Sequence, residues 1–236
     1  MNPTRFASIF SRLRGAVRRR GAPATHLPRW IGELGLRTVL DIGANTGQFA
    51  DEIRGAAPGA QIYSFEPLPD CFEKLQTRFG SDPRFRAFNV ALGDAPGDVA
   101  MHRSSHSQSS SLLAMGDLHR EAFPFSAGES EVRVRVERLD DLAAQLTLEK
   151  PLLAKLDVQG FEDRVIAGGR SVLARADLIV TEMTVEPLYR SQSLFDDLYR
   201  ALRELGFEYR GNLGQLTHPV DGRVLQMDAL FVPSPA

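Results

Sequence analysis

Residues 38–53 read TVLDIGANTGQFADEI. The first seven are largely apolar, as in a strand buried on both faces. A glycine-bounded turn follows. Residues 46–57 then repeat at helical spacing, with Phe49 and Ile53 on the inner side, until Pro58-Gly59 stops them. A strand, a glycine turn and a helix form the corner at which doubly wound sheets hold a nucleotide-like ligand, or they form a plain corner.

Outward from this corner the alternation continues. AQIYSFE (60–66) reads as a second strand. Residues 69–79 read as a helix with Phe72, Leu75 and Phe79 inward, and FRAFNVALGD (85–94) as a third strand. Strands alternating with helices predict a mostly parallel sheet covered on both faces. The alternation resumes at PLLAKLDVQG (151–160). A helix follows over 161–176 with Val165, Val172 and Leu173 inward, then the strand DLIVTEM and a helix over 193–205 on Leu194, Leu198, Leu202 and Leu205. FEYRGNLGQL, a turn at Asp221-Gly222 and LQMDALFVP predict a terminal hairpin with a reversed last strand.

Residues 97–138 break the pattern. GDVAMHRS reads as a short strand, and residues 104–130 are rich in Ser, His and Gly without a period. EVRVRVERL alternates, with Val132, Val134 and Val136 on one face. The segment is too short for its own core and reads as an insertion in a single domain, 29–236, rather than as a second domain.

Composition narrows the function. The chain has 236 residues and one cysteine, Cys71, so neither an internal disulfide nor a multi-cysteine zinc site is open to it. Residues 1–28 hold six arginines and no acid, which leaves 22 basic groups against 30 acids in the remainder. An acidic body suits no polyanion, so nucleic acid is not an expected partner. In the basic head, Phe6, Ile9, Phe10, Leu13 and Val17 fall at helical spacing. Peripheral contact with an anionic membrane and a solvated tail are both open readings. The head lacks the long apolar stretch of a secretory signal, so a cytoplasmic location, at most peripheral to the inner face of a membrane, is expected.

Two ligand classes compete for the glycine turn. The dinucleotide fingerprint G-x-G-x-x-G needs a second glycine where this chain has Asn45, and Phe49 stands close to the place of the third. The looser D-x-G-x-x-x-G spacing of Asp41, Gly43 and Gly47 suits S-adenosylmethionine, which has no phosphate to cradle. Glu66 ends the second strand, where a carboxylate can accept both ribose hydroxyls.

Five stretches in order, VLDIGANTGQFA, SFEPLPDCFEKLQ, NVALGD, VERLDDL and AKLDVQGFEDRVIAGG, resemble the FkbM-type methyltransferases. The resemblance runs from about residue 38 to 233. It implies a class I, Rossmann-like α/β fold with a seven-stranded sheet, and S-adenosylmethionine as cofactor. It places Asp41, Gly43, Ala44, Asn45 and Gly47 around the methionine part, Glu66 and Pro67 at the ribose, and Asn89 and Ala91 near the adenine. One departure stands out: the family usually has an acid where this chain has Gln159.

Transfer to a hydroxyl benefits from a base or a metal. Asp157, at the end of the fourth strand, is the first choice for the base, with Glu182 and His106 as further catalytic candidates. His102 and His119 read as ordinary loop histidines. A divalent cation between Asp157 and Glu182 is an alternative and not the expectation, since two carboxylates do not make a metal site. The [DNS]-P-P-[YFW] tetrapeptide of N-methylases is absent after the fourth strand, and Cys71 is misplaced for a C5 nucleophile. Oxygen is therefore the expected acceptor atom. By analogy it belongs to a sugar in a glycan or glycolipid, or to a polyketide-like natural product. A non-catalytic S-adenosylmethionine binder or membrane adaptor, and a nicotinamide oxidoreductase, are the alternatives.

Overall fold

The computed structural model describes residues 28 and 30–235. The basic head, apart from Pro28, lies outside the described residues. In chain order the elements are α1 (Trp30–Glu33), β1 (Thr38–Ile42), α2 (Gln48–Ala56), β2 (Gln61–Phe65), α3 (Pro69–Phe79), β3 (Phe85–Phe88), β4 (Ala91–Leu92) and β5 (Gly97–Ser104). Then come α4 (Asp117–Ala122), β6 (Glu129–Glu137), α5 (Leu139–Leu142), β7 (Leu152–Leu156), α6 (Glu162–Gly168), α7 (Arg170–Leu173), β8 (Leu178–Thr184), α8 (Phe195–Glu204), β9 (Phe207–Thr217) and β10 (Val224–Pro233).

Seven strands form one sheet in the order β3-β2-β1-β7-β8-β10-β9. Strands β3, β2, β1, β7 and β8 pair in parallel, and β10 runs antiparallel to both of its neighbours. The two-residue period of the strands explains the two cores. Leu40 and Ile42 of β1, Leu152, Ala154 and Leu156 of β7, and Ala229 and Phe231 of β10 pack under α5 to α8. Val39, Leu153, Leu230 and Val232, between them in sequence, pack under α1 and α2. The sheet is buried on both faces, which is why its strands read as nearly continuous apolar runs.

The expected third strand, 85–94, is two strands. β3 stays in the main sheet, while β4 pairs in parallel with β6 in a second, three-stranded sheet of order β4-β6-β5. The break falls at Asn89, whose amide donates to the carbonyls of Glu66 and Pro67 at 2.9 and 3.0 Å. The expected helix over 161–176 is also broken, at Gly168-Gly169. A Cβ at Gly168 would lie 1.9 Å from the Gly93 carbonyl oxygen, so this helix packs directly on the chain leaving β4. Residues 97–138 therefore supply two strands, β5 and β6, of a small sheet whose third strand is β4. Its inner face, Met101, Val134 and Val136, packs on Leu68 and Cys71 of the β2–α3 region.

Candidate active site

A cavity of about 710 Å³ opens at the carboxyl ends of β1, β2, β7 and β8. That is where a doubly wound sheet binds ligands, and the size suits a cofactor with part of an acceptor. The β9–β10 hairpin closes one side with Leu213, Gln215, Gln226 and Asp228. The serine-rich segment after β5 closes another with residues 106–110.

At one end lies the glycine turn. The amides of Gly43 and Ala44 both donate to the Phe65 carbonyl at 3.1 Å, tying the turn to the end of β2. Gly43 has φ 80°, and a Cβ there would sit 1.8 Å from the Asp157 carbonyl oxygen. Only glycine lets the turn pass so close to the end of β7. Asn45 follows with φ 47°, and its N–H donates to Glu66 Oε2 at 2.8 Å. The Leu68 N–H donates to Oε1, also at 2.8 Å. Burial pushes the Glu66 carboxyl up to about 7 against these two bonds. A carboxylate has about four acceptor sites, so two remain for a ligand's hydroxyls. Beside it, Leu68, Val90, Leu92 and Met101 give an apolar lining. A buried diol acceptor next to an apolar slot fits the ribose and flat base of a nucleoside.

Gly43, Ala44, Asn45, Glu66, Pro67 and Ala91 line this cavity, while Asp41, Gly47 and Asn89 do not. Asp41 is buried in a polar row across the sheet, where it pairs in register with Ser64 on β2 and Lys155 on β7. Ser64 Oγ donates to it at 3.2 Å, and Lys155 Nζ lies 3.6 Å away. Its carboxylate thus ties β1 to its two neighbouring strands. Gly47, φ 91°, turns its bare side to α3, where a Cβ would meet Phe79 and Leu75 at 2.5 and 2.9 Å. Its role is to let α2 and α3 close. Asn89 braces the backbone beneath Glu66.

The other end of the cavity holds the acids. Asp157 directly follows β7, and Glu182 lies on β8. Lys155 Nζ is 3.1 Å from Asp157 Oδ2 and donates to the Gly43 carbonyl, also at 3.1 Å. Burial works against the Lys155 charge, but Asp157 and Asp41 more than reverse it, and the ammonium titrates above its ordinary range. Glu182 is pushed well above the ordinary carboxylate range by burial and then by Asp157. One acid of the pair is thus ion-paired and the other is biased by burial toward its neutral form, a contrast of the kind acid–base sites use. Glu162 supports the connecting turn by accepting from the Val158 and Gly160 amides at 2.8 and 3.0 Å.

The histidines divide. His106 lines the cavity, where its Nε2 lies 3.0 Å from Gln108 Oε1 and its ring meets Phe125 edge-on. His119 is not an exposed loop residue: it is buried between Phe123 and Tyr189, and burial lowers its basicity. Its place on the inner side of α4 could not be foreseen in a segment without periodicity. Among the described residues no three His, Cys, Asp or Glu side chains converge as metal ligands.

The model of the methyltransferase FkbM domain matches residues 41–209, most of the chain. The chain belongs to this family. Among curated relatives, the 2-O-methyltransferase NoeI of Sinorhizobium fredii is 32% identical over 160 residues, 65% of this chain and 66% of NoeI. The hexuronic acid methyltransferase AglP of Haloferax volcanii is 28% identical over 152 residues, 61% of this chain and 55% of AglP. The chain thus spans less than two thirds of these relatives. The crystal structure of the methyltransferase FkbM from Methylobacillus flagellatus has the same fold, with a TM-score of 0.53 at 16% identity, covering 84% of this chain and 44% of that one.

In this FkbM domain two residues escaped the sequence reading. Lys155 joins the glycine turn to the acids. Its signal was there: a lone charge inside the apolar run LLAKL, and one of three lysines in the chain. Tyr189 is buried behind the acids, and its hydroxyl donates to Gln159 Oε1 at 2.8 Å. It lies in an irregular stretch after β8 and gave no signal.

Proposed function

We propose that the chain is an S-adenosylmethionine-dependent O-methyltransferase acting on a hydroxyl, foremost that of a sugar in a glycan or glycolipid, with polyketide-like natural products as the second acceptor class. One observation carries the reading. A single cavity joins a buried acid suited to a ribose, Glu66, to an acid pair suited to a hydroxyl, Asp157 and Glu182. The printed functions of NoeI and AglP favour a sugar acceptor.

Gly43 to Asn45 and Glu66 would hold the cofactor, with Ala91 and Leu92 against its base. When bound, the cofactor supplies a methyl group on a sulfonium whose carbon–sulfur electron pair returns to sulfur as the acceptor oxygen takes the carbon. Asp157 takes the acceptor's hydroxyl proton. Lys155 holds the Asp157 carboxylate in place, and Glu182 lies beside it, pushed by burial toward its neutral form. The enzyme's further contribution is alignment, with the hairpin and the serine-rich segment excluding water.

We place the protein in the cytoplasm, with the basic residues 1–28 in reach of an anionic membrane surface. Asp157→Asn keeps the shape and removes the charge. Turnover should fall by about 10²–10⁴, with little change in cofactor affinity. Labelled-methyl assays with hydroxylated acceptors, paired with titration calorimetry, measure both. Normal turnover in the mutant would remove Asp157 as the base. Cofactor binding without transfer to any acceptor would favour the non-catalytic binder.

A further inference from the structure

The acid pair is joined by an uncharged side chain. Gln159 lies in the turn after β7 with φ 56°. Its Nε2 donates to Asp157 Oδ1 at 2.9 Å and to Glu182 Oε2 at 2.7 Å. Its Oε1 accepts from the Tyr189 hydroxyl at 2.8 Å, and its backbone carbonyl accepts from Ser111 Oγ at 2.6 Å. A primary amide has two N–H donors and one carbonyl oxygen. Here each N–H meets a carboxylate and the carbonyl meets a hydroxyl. The amide cannot turn over without facing its oxygen to two acids and losing the tyrosine bond.

We propose that Gln159 is a positioning residue for methyl transfer: its amide clamps Asp157 and Glu182 together without adding charge, holding the Asp157 carboxylate in the orientation from which it takes the acceptor's proton. The proposal rests on the reading of Asp157 as the base. The chemistry of the clamp decides its effect. A cation at this position would neutralise both acids. A third carboxylate would repel them. A neutral donor orients both and favours their charged forms only modestly, by hydrogen bonding alone. Glu182 faces Asp157 after β7, Glu162 of α6, Asp228 of β10 and the Tyr189 hydroxyl, with Lys155 the cation acting on it. Lys155 itself is in ion-pair contact with Asp157. Glu182 is therefore the acid of the pair biased toward its neutral form, by burial and then by Asp157, and the clamp holds it beside Asp157. Tyr189 makes the clamp sensitive to the segment covering the cavity, since its hydroxyl also reaches the Ser109 carbonyl at 3.1 Å.

Carboxyl carbon NMR of the full-length protein, recorded against pH without acceptor, tests this directly. In the wild type Glu182 should titrate well above the ordinary carboxylate range. Gln159→Leu removes donors that favour the charged forms, so the midpoints of the pair should rise by about one pH unit. Gln159→Glu keeps the shape and adds a third acid, so the highest midpoint should rise further. Tyr189→Phe keeps both N–H bonds and should move the midpoints less than Gln159→Leu. If Gln159→Leu does not fold, the isosteric Gln159→Glu and Tyr189→Phe carry the comparison. Midpoints that stay at their wild-type values while only thermal stability drops would make Gln159 a packing residue and overturn the proposal. Turnover of Asp157→Asn is a separate readout: if it stays normal, the base assignment fails whatever the titration shows.

Discussion

Glu66 is the one side chain on which the proposed cofactor contact chiefly rests. Burial pushes its carboxyl up to about 7 from an ordinary value of 4.5. The folded protein therefore holds a proton that the unfolded chain has lost, and stability should decline as pH rises from about 4.5 to about 7. In Glu66→Gln that part of the decline should vanish, as thermal unfolding against pH would show. A ribose needs the ionised form, so cofactor binding at about pH 6 should release a proton. Calorimetry in two buffers of different ionisation enthalpy would detect it. Glu66→Ala removes two charged hydrogen bonds of roughly 1.5–3 kcal/mol each, so affinity should fall by about 10²–10⁴. Unchanged affinity would place the ribose elsewhere. Lys155 is the counterpart at the other end of the cavity. Lys155→Met strands Asp41 and Asp157 and should cost about 3–5 kcal/mol near neutral pH, less in acid where both can protonate. Urea unfolding at the two pH values would show the difference. Glu66 was legible in the sequence because an acid ending the second strand has one geometric meaning. Asp41 was legible as an acid at the turn, but the lysine beside it was not, since only strand register brings Lys155 opposite.

The elements hold the two ends of the cavity together through close backbone approaches. Gly43 is the tightest of these. Gly43→Ala would force a Cβ into the Asp157 carbonyl and should cost about 4 kcal/mol or more. Gly222→Ala, at φ 74° but with nothing within 4 Å, should cost only about 1–2 kcal/mol. Equal melting temperatures for the two variants would contradict the contact. Strand and helix identities were legible where one period ran unbroken, as in β1, α3 and β10. They failed where tertiary contacts cut an element. The chain was read as one strand through Asn89, whose amide bonds to a neighbouring strand's exit, and as one helix through Gly168, which is pinned against Gly93. Neither partner is local, so no window of sequence contains the reason.

The whole molecule is a two-faced sheet with its chemistry at one edge and a small second sheet beside it. Trp30 and Ile31 already belong to the core. Deletion of residues 1–27 should leave the melting temperature within a few degrees of the full chain. It should abolish any cosedimentation with anionic vesicles. Unfolding on truncation, or sedimentation that persists without the head, would contradict the division drawn here. No helix among the described residues is long and apolar enough to cross a membrane. The fold was legible because every strand but one kept its pattern. The acceptor end was not, because it is assembled from an aperiodic loop, a hairpin and an irregular turn. The most direct test of the account uses S-adenosylmethionine carrying a labelled methyl group, incubated with the purified protein and a panel of sugars, glycans and glycolipids. The label should appear as a methyl ether on a sugar hydroxyl, and Asp157→Asn should lower its rate of appearance by about 10²–10⁴. Label that goes to nitrogen, or that appears equally fast with the mutant, would contradict it.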